Sequence, residues 1–134
     1  MKKSFLLVAF IVLATTLFSQ SNCRTLETKY KTVISVSPKD SSIKTINSTD
    51  PQLFSIVEYK ADVLITIMSK TTFKYRSYYC EYIDGEVDGT MYLSSISTNK
   101  HYSIHIYPEA VLIWDSDKNI KTWYYNNKIP VSTY

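Results

Sequence analysis

The sequence predicts an all-β protein, a small antiparallel meander of about seven or eight short strands that closes as a sandwich or a small barrel. Three observations predict it. β-branched and aromatic residues recur in short runs with a two-residue period. Clusters of Asp, Asn, Gly, Ser and Pro interrupt those runs every eight to twelve residues or so, the punctuation of sandwiches and barrels. No long helical pattern competes with either signal.

The first segment is set apart from this pattern. Met1, Lys2 and Lys3 precede the apolar run "FLLVAFIVLA" and the polar "TTLFSQS", the order of charge, apolar core and small residues that marks a secretory signal peptide. Residues 1–20 are therefore expected to be a leader, cut near Ser19 to Ser21, and residues 21–134 a single β-rich domain. The apolar core from Phe5 to Ala14 is about half the roughly 20 residues needed to span a bilayer, so no transmembrane anchor is expected after cleavage. The expected location is extracytoplasmic, secreted or periplasmic. Losing Lys2 and Lys3 leaves 13 basic against 12 acidic residues and lowers the formal charge from +3 to about +1. Nucleic-acid binders displace counterions with clustered Lys and Arg; "KYK" at 29–31 and "KYR" at 74–76 are local and lie in strand-like sequence. No nucleic-acid partner is expected.

Taken in order, "YKTVISVS" (residues 30–37) is β-branched enough for a strand, ended by Pro38 and "KDSS". "INSTDPQ" (46–52) reads as a loop and contains the glycosylation sequon at Asn47. "LFSIVEY" alternates and reads as a strand, in preference to a short helix started by Asp50 and Pro51. "DVLITIM" (62–68) suits a central strand buried on both sides. In "TTFKYRSYYCEYI" (71–83) one face carries Lys74 and Arg76 and the other carries no charge, which is the pattern of a half-buried strand. Both glycines of the chain follow aspartates in "IDGEVDGT", where Asp-Gly favours a tight hairpin. Four further segments complete the meander: "TMYLSSIS" (90–97), "HYSIHIY" (101–107), "AVLIW" (110–114) and "IKTWYY" (120–125). "TNK" and "DSDKN" separate them as turns, and "NNKIP" closes the chain.

The general architecture resembles lipocalin-like barrels, and an eight-stranded barrel is wide enough to hold one small ligand. The Gly-x-Trp signature of that family is absent, because Gly85 is followed by Glu86 and Gly89 by Thr90. The resemblance is therefore one of architecture.

Cys23 and Cys80 are the only cysteines. In an oxidising compartment they form a candidate disulfide, worth roughly 4 kcal/mol in the chain-entropy model. Lipidation of Cys23 and two free thiols are the competing readings. A buried Cys80 would behave as a small apolar residue.

His101 and His105 are the only histidines. On a helix they would stand one turn apart and chelate one ion. On a strand they lie about 13 Å apart along one face, too far for two ligands with bonds of about 2 Å. The alternation of Tyr102, Ile104 and Ile106 with the histidines favours the strand. "DSDKN" places Asp115, Asp117 and Asn119 like the opening of a calcium loop, but Ile120 stands where such a loop needs Gly and Asn126 where it needs Glu. A turn is the better reading, and no metal or cofactor is expected.

Glu81, Glu109 and Asp115 could supply carboxylates for acid–base work, yet nothing in their sequence neighbourhood sets them apart. No Gly-x-Ser-x-Gly elbow or phosphate-cradling glycine loop exists. Tyrosine is abundant, twelve in all, and Tyr107, Trp114, Trp123, Tyr124 and Tyr125 form a candidate aromatic binding surface, against which stands the ordinary use of aromatics as sheet packing. The expected function is a non-enzymatic binding module for a protein, a glycan or a small apolar ligand. Its rivals are a small secreted hydrolase or metal-dependent enzyme using His101 or His105, and a structural, envelope-associated protein.

Overall fold

The computed structural model describes residues 22–87, 89–96 and 100–130. The expected leader and its cleavage region lie outside the described residues, as does most of the "TNK" turn. Eight antiparallel strands follow in chain order: β1 Asn22–Val36, β2 Ile43–Tyr59, β3 Asp62–Ser69, β4 Tyr75–Val87, β5 Thr90–Ser95, β6 Tyr102–Ile106, β7 Ala110–Asp115 and β8 Ile120–Tyr125. Each strand pairs with the next and β8 pairs with β1, so the sheet closes as a barrel. Closure settles the choice between barrel and sandwich, and it removes the open sheet edges that invite edge-to-edge association.

Two-residue alternation decides what enters the barrel. The inner faces contribute Phe54 and Ile56 from β2, Val63, Ile65 and Ile67 from β3, and Cys80 from β4. Beyond them come Met91, Leu93, Ile104, Ile106, Val111, Ile113 and Tyr124, all packed in one cluster. Phe54 and Tyr124 meet edge-on across it, with ring centroids 5.4 Å apart. Side chains of this size occupy the axis of an eight-stranded barrel, and each one buried contributes about 1.5–3 kcal/mol.

Several expectations are corrected. The stretch 46–52, read as a loop, lies within β2, which is 17 residues long. Its β-branched residues pair with the second half of β1, and Pro51 is tolerated because pairing with β3 begins only at Gln52. The polar stretch from Asn22 to Lys29 is likewise strand, held against Gln52–Glu58. β3 is buried on alternate residues rather than on both faces, since no layer covers the barrel outside it. The strand expected from Thr71 begins at Tyr75. Before it the chain turns with Phe73 at φ 59°, closed by bonds from Ser69 N to Lys74 O and from Phe73 N to Ser69 O.

Two local features position the candidate site. The β1–β2 register shifts between Thr28 and Tyr30. Simple alternation from Leu26 and Thr28 would carry Tyr30 and Thr32 inward. After the shift it is Lys31 that shares the inner row with Tyr124, Val111 and Ile106. The second feature is the orientation of β4. Arg76 pairs with Ile67, which pairs with Phe54, so the face of β4 with Arg76, Tyr78 and Cys80 is the inward one. Tyr75 and Tyr79 face solvent, with 75% and 44% exposure.

Candidate functional site

The barrel has two unlike ends. One carries the β1–β2, β3–β4, β5–β6 and β7–β8 connections; the other carries the β2–β3, β4–β5 and β6–β7 connections. Two grooves open at the first end. A groove of about 310 Å³ lies between the β3–β4 turn and the bent part of the β1–β2 hairpin, with Gln52, Ile67 and Tyr124 beneath Lys31, Asp50 and Lys74. A wider groove of about 700 Å³ lies where the first residues of β4 have lost β5 as a neighbour, and Tyr78, Tyr79, Ser95, Ile96, Lys100 and Tyr102 line it. β4 reaches β5 only from Cys80 onward, so the gap follows from the offset of the strands.

Arg76 borders both grooves. Its Nη2 donates to the Tyr124 hydroxyl at 2.7 Å, and its guanidinium carbon lies 5.9 Å from the Tyr78 ring centroid. Tyr78 in turn meets Tyr102 edge-on at 5.3 Å. Burial raises the Tyr78 phenol above its ordinary value, against the opposing effect of the Arg76 charge, so this hydroxyl remains a proton donor at neutral pH. Among the described residues Asp50 is the one carboxylate that lines the grooves. It accepts from Gln52 Nε2 at 2.8 Å and faces Lys31 Nζ at 3.6 Å.

The residues expected to form an aromatic surface do not come together as one platform. Tyr124 lies inside the barrel, 2% exposed. Trp123 is on the outer wall but buried, stacked against Tyr107 at 5.6 Å. Tyr125 packs on Tyr30 and bonds through its hydroxyl with Thr32. Trp114 carries Lys121 over its ring at 5.1 Å. Apart from Tyr124, these rings pair with neighbouring rings or a lysine along the outer wall, as sheet packing predicts.

The cysteines are free thiols, which corrects the expected disulfide. Cys23 lies in the row that runs through Val57, Leu64 and Tyr79 on the outer face. Cys80 is one residue out of step and faces the core. Three strand spacings, roughly 14 Å, and the barrel wall separate them, whereas a disulfide needs Cα atoms within about 7 Å. Burial pushes the Cys80 thiol up to about 12, so it stays a protonated apolar filler.

His105 lies in β6, and His101 immediately precedes that strand. His101 Nδ1 lies 3.3 Å from both carboxylate oxygens of Asp117 in an exposed pair at the β7–β8 turn. His105 is half-buried on the outer wall and meets Tyr92 edge-on at 4.8 Å. Burial, and then the Lys121 charge, lowers its pKa. Neither histidine lines a groove. Asp115 Oδ1 accepts from the backbone N–H groups of Asp117 and Lys118, and Asn119 takes φ 52°, so "DSDKN" is a self-satisfied turn. Among the described residues no three His, Cys, Asp or Glu side chains are grouped to hold a metal ion. Asn47, the sequon residue, lies in β2 and accepts from the Thr32 hydroxyl through Oδ1 at 2.7 Å.

Sequence reasoning missed the mouth residues Lys31, Gln52, Arg76, Tyr78 and Tyr102. One signal was present for β4: Cys80 belongs to the Arg76 face, and cysteine prefers burial. The fold thus defines a closed eight-stranded up-and-down barrel with a packed interior and a polar, aromatic mouth. Comparison with protein-family models, with curated proteins and with solved structures found no match to this chain.

Proposed function

We propose that this protein is an exported, non-enzymatic binding module that takes a glycan at the open end of its barrel. The observation that carries the reading is the contrast between interior and mouth. The interior is occupied by its own apolar side chains, which disfavours a small apolar ligand held inside. The two grooves have volumes in the range of small-molecule sites, and they offer tyrosine rings beside hydroxyls of Ser69, Thr71, Ser77 and Ser95. Tyrosine presents an apolar face and a hydrogen-bonding tip together, as a sugar ring requires of its partner.

The enzymatic alternative has less support. The Asp–His pair it would use, His101 with Asp117, is exposed and stands outside both grooves.

Backbone amide shifts of the labelled protein, recorded during titration with maltotriose, chitotriose and trigalacturonate, test the reading. At least one saccharide is expected to shift Ser69–Tyr79 and Tyr102 while leaving the β2–β3 turn unchanged. Shifts elsewhere, or none with any of the three, would overturn it.

A further inference from the structure

We infer that Arg76 and Tyr124 together form an oxyanion subsite at the centre of the mouth, so that the glycan recognised there is an acidic one. The inference rests on the glycan reading for its ligand but on separate observations for its chemistry. A guanidinium carries five N–H donors in a fixed fork. The structure engages Arg76 with one phenol and the face of one ring, and no carboxylate lies within ion-pair distance of it among the described residues. Tyr124 Oη accepts from Arg76, which leaves its own O–H to donate. Guanidinium and phenol can therefore address one oxygen-centred anion from two sides, the geometry that suits carboxylate or sulfate.

The surrounding charge agrees. Lys31, Lys74 and Lys100 line the same two grooves, and Asp50, already held by Gln52 and Lys31, is the only carboxylate lining them among the described residues. An anion at Arg76 would sit between the grooves, with sugar units to either side of it. Two devices of the fold bring this about: the register shift that carries Lys31 to the inner row and the orientation of β4 that carries Arg76 inward. Both place charge where strand alternation in a barrel ordinarily places apolar side chains.

Calorimetric titration of the full chain with trigalacturonate, with its carboxyl-reduced neutral counterpart and with sodium sulfate tests the inference. The acidic trisaccharide is expected to bind at least about tenfold more tightly than the neutral one. Arg76→Gln should abolish the difference, Arg76→Lys should keep part of it, and Lys44→Gln on the β1–β2 hairpin should change it by less than about twofold. Tyr124→Phe keeps the ring in the core and should cost a smaller part of the preference, which guards against misreading an unfolded Arg76 variant. Equal binding of the two trisaccharides, or an acidic preference that survives in Arg76→Gln, overturns the subsite and leaves the glycan reading standing. Sulfate binding that depends on Arg76, with neither trisaccharide bound, supports the oxyanion site and overturns an acidic glycan as its ligand. If none of the three binds, the subsite falls, and the glycan reading is decided by the maltotriose and chitotriose titrations.

Discussion

The two ends of the barrel are built from the same strands and differ in almost everything else. The end with the grooves gathers Lys31, Lys74, Arg76 and Lys100 around a single lining carboxylate. The opposite end mixes signs, with Glu58, Asp62, Glu81 and Glu109 at or beside its turns together with Lys60 and Arg24. There the connections are tight. Tyr59 pairs directly with Asp62 across Lys60 and Ala61, and the Arg24 guanidinium ties β1 to the carbonyls of Tyr107 and Pro108. A chain whose formal charge is only +3 thus gathers cations at one opening and mixes charges at the other. Net charge says little about partners when charge is spread unevenly over the surface.

The largest expected effect separates the packed interior from the mouth. Ile65→Ala, at a fully buried site, should cost about 2–5 kcal/mol in urea unfolding. Tyr75→Ala at the rim should cost within about 0.5 kcal/mol. Comparable losses at the two sites would erase the distinction between a structural interior and an interaction surface.

Thiol chemistry gives an all-or-none version of the same contrast. Native protein should react with a disulfide reagent at Cys23 alone, and Cys80 should become accessible only on unfolding. A chain with no reactive thiol before reduction would restore the disulfide.

A smaller effect is expected from pH. The His105 pKa is lowered in the folded chain, so the unfolded chain binds the proton more readily. The contribution to stability is then fully present above about pH 6.5, the unfolded value, and is lost as pH falls through the lower folded value. His105→Asn should flatten the decline in melting temperature between pH 7 and pH 5. The smallest effect is a gain. Lys60 holds φ 55° in the turn between β2 and β3, a conformation that costs a side chain roughly 1 kcal/mol. Lys60→Gly should raise stability by up to that amount in the same urea assay.

Much of the barrel could be read from the chain because alternation is a local signal. Phe54 and Ile56 against Ser55 and Val57, or Ile104 and Ile106 against Ser103 and His105, declare their faces within a few residues. The mouth could not be read this way. Lys31 faces inward only because of an irregularity in how β1 pairs with β2, a property of two strands and of neither alone. Arg76 was harder still, since a charged residue beside Lys74 suggests the solvent face, while the inward direction is imposed by Ile67 across the ladder. The full length of β2 was hidden for a related reason: Asn47, Ser48 and Asp50 have weak strand preference and are held extended by β1.

The irregularity near Lys29 also has a consequence for how such a protein can change. Because β2 takes three steps from Gln52 to Thr49 where β1 takes two from Thr28 to Tyr30, losing Pro51 would restore simple alternation along β1 and exchange which of its neighbours look into the opening. Tyr30 and Thr32 would replace Lys31 without any substitution in the lining itself. Ligand preference in this scaffold is therefore open to revision by length as well as by chemistry, and a one-residue deletion is a shorter route to a neutral opening than rewriting its charges one at a time.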